Sequence, residues 1–287
     1  KDEGSSFFCP LTNSIRFHQL DSLLHTMDRF GTVEQHIWEK MKAVPERGKW
    51  KVSAGGEILP WSCITSIYPL QDVGGELQRL QQQLEGLAGR WMNFELIKAS
   101  HMTLLAGPEA EKWGPGWPEV LEHRAWQECA EFLKSQEAPR MEVHRIHNIH
   151  IGKITVCLKF ADPASEHSTK QILKPSLHRF AEGLWENPKR RGFHITLSLP
   201  RWAELERQPM PVEVQDQVEV AVKDCFERLG KPLPLQPARL CLCPDMTCFV
   251  PWDGLPPQLL PLNPDASECD PRMPDADGTE ISDRRQC

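Results

Sequence analysis

The chain has 287 residues, 40% hydrophobic and 25% charged, with 33 Lys and Arg against 40 Asp and Glu for a formal net charge of -7. That length suffices for a core that needs no covalent staples, and the acidic balance excludes a protein that coats long DNA or RNA by neutralising its phosphates. Residues 264–287, with seven acids and three arginines, hold four of the seven net negative charges, so the body keeps room for a small basic cleft.

In chain order, residues 14–45 carry apolar positions at helical spacing (Ile15, Leu20, Leu23, Leu24, Met27 and Phe30, then Val33, Ile37, Trp38 and Met41), and Gly31 divides them into two helices. Residues 1–50 are read as a helical N-terminal extension capping the main domain. Gly55-Gly56 turns the chain into a first strand over Ile58 to Tyr68. Asp72 caps a helix running to Arg90, with Leu77, Leu80, Leu84 and Leu87 on one face. A strand from His101 to Ala106 ends at Gly107-Pro108, and a loop with Trp113 and Trp117 follows. These two indoles either pack on the rim or stack on a base at a cleft mouth. A helix over 119–135 precedes two strands, Met141 to Ile151 and Ile154 to Phe160, joined at Gly152-Lys153. A helix over 165–185, kinked at Pro175, leads to a strand beginning at Phe193. A helix over 213–229 and strands at Ala238 to Cys243 and Thr247 to Trp252 complete a domain spanning 51–254. Residues 255–287 read as a disordered, acidic, Pro-rich tail.

One motif occurs twice. Ser-His-Met-Thr-Leu at 100–104 returns as Phe-His-Ile-Thr-Leu at 193–197. Successive strand side chains point to opposite faces, so His101 and Thr103 share one face while Met102 and Leu104 share the other, and the second copy repeats this with His194, Thr196, Ile195 and Leu197. Each motif has a helix before it and a helix and strand pair after it. This duplication predicts two similar α+β lobes, each giving one motif strand to a shared cleft. Two imidazoles facing each other suit metal-free phosphodiester cleavage: one takes a proton from the attacking oxygen, the other gives one to the leaving oxygen. The two threonines would donate hydrogen bonds to the non-bridging phosphoryl oxygens.

In these motifs the sequence resembles the 2H phosphoesterase superfamily, which includes the bacterial RNA ligase-like cyclic phosphodiesterases. More narrowly it resembles an uncharacterised branch, through Gly56-Glu57-Ile58-Leu59-Pro60, Ser100, Gly107, Phe193, Leu240-Cys241 and Asp245-Met246. The resemblance covers about residues 50–253. It implies the bilobed, pseudo-duplicated α+β LigT-like fold, with two antiparallel sheets lining a central cleft and helices outside, and His101, Thr103, His194 and Thr196 as the catalytic quartet. The chain departs from the branch at Pro60-Trp61-Ser62, where a Phe-Pro-Gly turn is usual, and at Lys189-Arg190-Arg191, where the branch is polar.

The expected function is therefore a metal-independent phosphodiesterase acting on a cyclic phosphate or other phosphodiester of a nucleotide or RNA end. The alternative is a non-catalytic nucleotide or RNA-end binding protein that retains the fold. Lys189, Arg190 and Arg191 are either a solvated turn or, with Trp113 and Trp117, part of the substrate-binding surface. No cofactor, metal, long DNA or membrane is expected to bind, and a monomer is expected. His144, His147 and His150 alternate along a strand, so one flat face does not present all three to a metal. Cys241, Cys243 and Cys248 lack the paired spacing of a zinc site, and Gly74-Gly75 and Gly114-Pro115-Gly116 lack the context of a phosphate loop. The ten scattered cysteines, with no secretory signal and no apolar run of membrane length, read as buried free thiols of an intracellular, cytoplasmic protein.

Overall fold

The computed structural model describes residues 35–44, 51–172 and 192–255. The readings for residues 1–34, for the 173–185 part of the predicted helix, for Lys189, Arg190 and Arg191, and for the tail beyond 255 lie outside these residues. Helix α1 (Gln35–Lys42) buries Trp38 and Met41. These two side chains join the main core, and the helix packs against a C-terminal strand.

The first strand starts later than its β-forming composition suggests. Ser62 adopts φ 39, two residues after Pro60, and this left-handed residue interrupts the extended run, so β1 is Cys63–Pro69. Helix α2 is Glu76–Ala88 and buries Leu77, Leu80, Leu84 and Ala88. As read from the sequence, the Asp72 carboxylate accepts from the N–H groups of Leu77 (2.8 Å) and Gln78 (3.3 Å), satisfying first-turn donors across a short 3-10 turn. Then come β2 (Met92–Asn93), β3 (His101–Glu109), α3 (Trp117–Leu121) and α4 (Ala125–Lys134). The single helix expected over 119–135 is thus two. Strands β4 (Met141–His147) and β5 (Thr155–Phe160) flank a turn in which Asn148 and Gly152 are left-handed. A Cβ on Gly152 would sit 2.8 Å from Leu205 Cδ1 and 3.0 Å from Pro200 Cα, so only glycine fits this corner. The chain continues through α5 (Pro163–Ile172), β6 (His194–Thr196), β7 (Leu199–Pro200), α6 (Trp202–Arg207), α7 (Val212–Leu229), β8 (Arg239–Asp245) and β9 (Cys248–Pro251).

Among the described residues the three sheets are all antiparallel. One has the order β3-β1-β8-β9, another β4-β5-β6, and a two-stranded ribbon joins β2 to β7. This corrects the consecutive-lobe expectation. The strand pair after the first motif, β4-β5, hydrogen-bonds to the second motif strand β6, whereas the pair after the second motif, β8-β9, completes the sheet of the first. Sequence repeats and spatial sheets are therefore exchanged. The reason is visible in the ribbon: β2 just precedes the first motif and β7 just follows the second, and their pairing holds the two motif strands side by side. A continuous core lies on the opposite sheet faces, where Ile64, Tyr68, Met102, Leu104, Val156, Leu158 and Ile195 meet α2, α4 and α7. Burying each such side chain contributes about 1.5–3 kcal/mol. Among the described residues no helix is long and apolar enough to cross a membrane.

Candidate active site

The alternation read from each motif is what the strands show. In β3, Met102 and Leu104 are buried while His101 and Thr103 are half-buried on the other face; in β6, Ile195 is fully buried while His194 and Thr196 are half-buried. Both are edge strands of their sheets, and the two edges lie against each other. The structure thus brings His101, Thr103, His194 and Thr196 to the seam where the two sheets meet, the candidate cleft, with His194 close enough to act on the charge of His101.

The repetition extends to hydrogen bonding. The Nδ1 of His101 lies 2.7 Å from the Ala99 carbonyl oxygen, and the Nδ1 of His194 lies 3.2 Å from the Gly192 carbonyl oxygen. A carbonyl only accepts, so Nδ1 carries the proton in each ring and donates it. That leaves Nε2 as the working nitrogen of both imidazoles. Thr103 and Thr196 give their hydroxyls to no other described protein group.

The two histidines differ in surroundings. The Phe249 ring packs on His101 with centroids 4.1 Å apart and planes tilted by 51°. Phe249 also meets Trp61 edge-on at 6.4 Å and covers an apolar floor of Cys63, Ile67, Cys241 and Cys243. Burial, reinforced by the charge His194 carries when protonated, pushes the His101 pKa from 6.5 down to about 4, although the Ala99 carbonyl favours the charged ring. His101 is therefore neutral at physiological pH, with a lone pair on Nε2. If Phe249 maintains this state by excluding water, Phe249→Ala is expected to move the His101 titration from near 4 toward 6.5. Imidazole shifts followed by NMR across pH 3–8 read this directly, and an unmoved titration would remove Phe249 from that role.

Beyond the floor, Lys51 Nζ lies 3.5 Å from the centroid of Trp61 and 3.5 Å from Glu109 Oε1. Burial lowers its pKa, opposed by Glu109. The floor thiols are core thiols, as expected: burial pushes Cys241 up to about 12 and Cys243 well above its usual value. The seven cysteines of the described residues are all free.

Other sequence-derived candidates separate. Trp117 is fully buried, with its Nε1 donating to the Met41 carbonyl, and no base reaches it, so the rim-packing reading replaces base stacking there. Trp113 packs half-buried against the same core. The histidine triplet is dispersed. His144 is the extra residue of a bulge between Val143 and Arg145, His147 Nε2 lies 3.1 Å from Cys157 Sγ, and His150 is exposed in the turn after β4. Among the described residues no group of three or more His, Cys, Asp or Glu is placed to hold a metal. Phe249 and Arg145 were missed in the sequence, where His147 was weighed only as a metal ligand and Cys157 was read only as a strand thiol. Strand parity marks their faces, but only the register says which face joins the motif histidines.

The fold and site define an α+β protein whose two larger antiparallel sheets meet along their motif edges. No family model matches the chain, and no curated protein matches it. Among solved structures it is similar to the conserved protein of unknown function ATU0111 from Agrobacterium tumefaciens, with a TM-score of 0.54 and 16% identity over 73% of this chain and 92% of that one. At that identity the likeness establishes the fold.

Proposed function

We propose that the cleft is the active site of a phosphodiesterase of the 2H type, acting on a ribose 2′,3′-cyclic phosphate of a nucleotide or RNA end. One observation carries this reading: on two adjoining motif strands, each imidazole is tied through Nδ1 to the carbonyl two residues upstream, which makes Nε2 the nitrogen that exchanges a proton in both. A lone phosphate ligand would be held better by arginine; paired imidazoles serve proton transfer.

His101, neutral and anchored, takes a proton from the attacking water as its oxygen bonds to phosphorus. His194, protonated on Nε2, gives its proton to the departing ribose oxygen as that P–O bond breaks, and the ring opens to a phosphomonoester. Thr103 and Thr196 donate to the non-bridging oxygens, where charge accumulates. Water is consumed, and the two imidazoles end with their protonation states exchanged, to be reset through solvent. Acid and base both come from the protein, so no divalent ion is required. Hydrolysis of adenosine 2′,3′-cyclic phosphate is expected to proceed at an unchanged rate in EDTA. Loss of turnover with the chelator, restored by one divalent cation, would contradict this mechanism.

A further inference from the structure

The second sheet places two rows of side chains on the cleft face. Across β6, β5 and β4 the register sets Thr196 opposite Thr155 and Thr155 opposite His147; one step along, His194 stands opposite Cys157 and Cys157 opposite Arg145. Residues opposed in antiparallel strands share a face. Val143, Ile146, Val156 and Leu158 turn to the core, confirming that Arg145 and His147 point the other way.

The charges on this face are unevenly satisfied. Glu142, opposite Lys159, is held by it at 3.5 Å. His147 is engaged with Cys157. Arg145 is exposed and has no ion-pair or hydrogen-bond partner among the described residues. It stands two strand spacings from His194, about 10 Å between Cα atoms, which a long side chain narrows to the span of a single ribose. Arginine is also the side chain that stays charged at any working pH and grips phosphate with two parallel N–H groups.

We propose that Arg145 forms a subsite for a second phosphate, one ribose away from the phosphodiester held between His101 and His194. The preferred substrate class is then a ribose 2′,3′-cyclic phosphate with a phosphate on its 5′ side, as in a 5′-phosphorylated nucleotide or the 3′-terminal unit of an RNA. The nature of the first phosphate rests on the phosphodiesterase reading.

Three ligands with the same reacting group test the subsite: adenosine 2′,3′-cyclic phosphate, its 5′-phosphorylated form, and a dinucleotide ending in the cyclic phosphate. Equilibrium binding and turnover are measured for wild type, Arg145→Ala and Arg145→Lys. The wild type is expected to favour the two ligands with a 5′ phosphate by roughly tenfold or more, the scale of one charge-assisted contact. Arg145→Ala is expected to erase that preference through Kd and KM with kcat little changed, and Arg145→Lys to restore part of it. Preference for the 5′-phosphorylated nucleotide over the dinucleotide identifies a terminal phosphate, and the reverse an RNA end; both support the subsite. Equal binding of all three ligands by the wild type, or equal loss for all three in Arg145→Ala, overturns it. Selective binding without turnover upholds the subsite while removing the enzymatic reading, and turnover without selectivity does the opposite.

Discussion

Replacing His101 or His194 by alanine is expected to lower kcat on the best cyclic phosphate by roughly 10²- to 10⁴-fold, the range for a lost proton-transfer group. The two losses should not multiply, because base and acid act in one step; the double variant is expected to fall well short of the product of the singles. The pH dependence distinguishes the roles. In the wild type the acid limb of kcat/KM follows His101 and lies nearer 4 than 6.5, since the base works only when neutral. His101→Ala removes that limb, whereas His194→Ala removes the alkaline one and moves the His101 limb somewhat upward, because the charge that helps lower the His101 pKa is gone. Thr103→Val and Thr196→Val preserve strand shape and remove only a hydroxyl, so both limbs stay while the rate drops by about ten- to a hundredfold. Unchanged turnover in both folded His→Ala variants would mean that chemistry occurs elsewhere.

The part of this site that could be read from the sequence is the part governed by local geometry. Alternation in β3 and β6 is a property of any extended strand, so the pairing of His101 with Thr103 and of His194 with Thr196 follows once the apolar residues between them are assigned inward. The Asp72 cap and the long helix α7, expected over 213–229 and found at Val212–Leu229, are equally local. What escaped is non-local. Exchange of the strand pairs between the two motifs depends on the β2-β7 ribbon, two residues on each side, too short to register as a pattern. The bulge at His144 shifts the parity of the strand after it, placing Arg145 rather than His144 in the row of His194. Phe249 lies on the far edge strand of its sheet, and its contact with His101 reaches across the two strands between them.

Trp117 separates packing from recognition most sharply. It is fully buried, and its indole N–H donates to the Met41 carbonyl of α1, joining α1 to α3. Trp117→Ala removes a large core side chain and orphans that carbonyl. The expected loss is about 3–5 kcal/mol, a large fraction of the roughly 5–15 kcal/mol that holds a domain together, and it appears as a lower denaturant midpoint at unchanged slope. Trp117→Phe keeps most of the buried area and loses the hydrogen bond, so about 1 kcal/mol is expected, with KM for every cyclic phosphate unaltered. Trp113, only partly buried against the same core, should tolerate alanine at a smaller loss of stability. A rise in KM for nucleotides in Trp117→Phe, without a matching fall in stability, would return this indole to the substrate and contradict its place in the core.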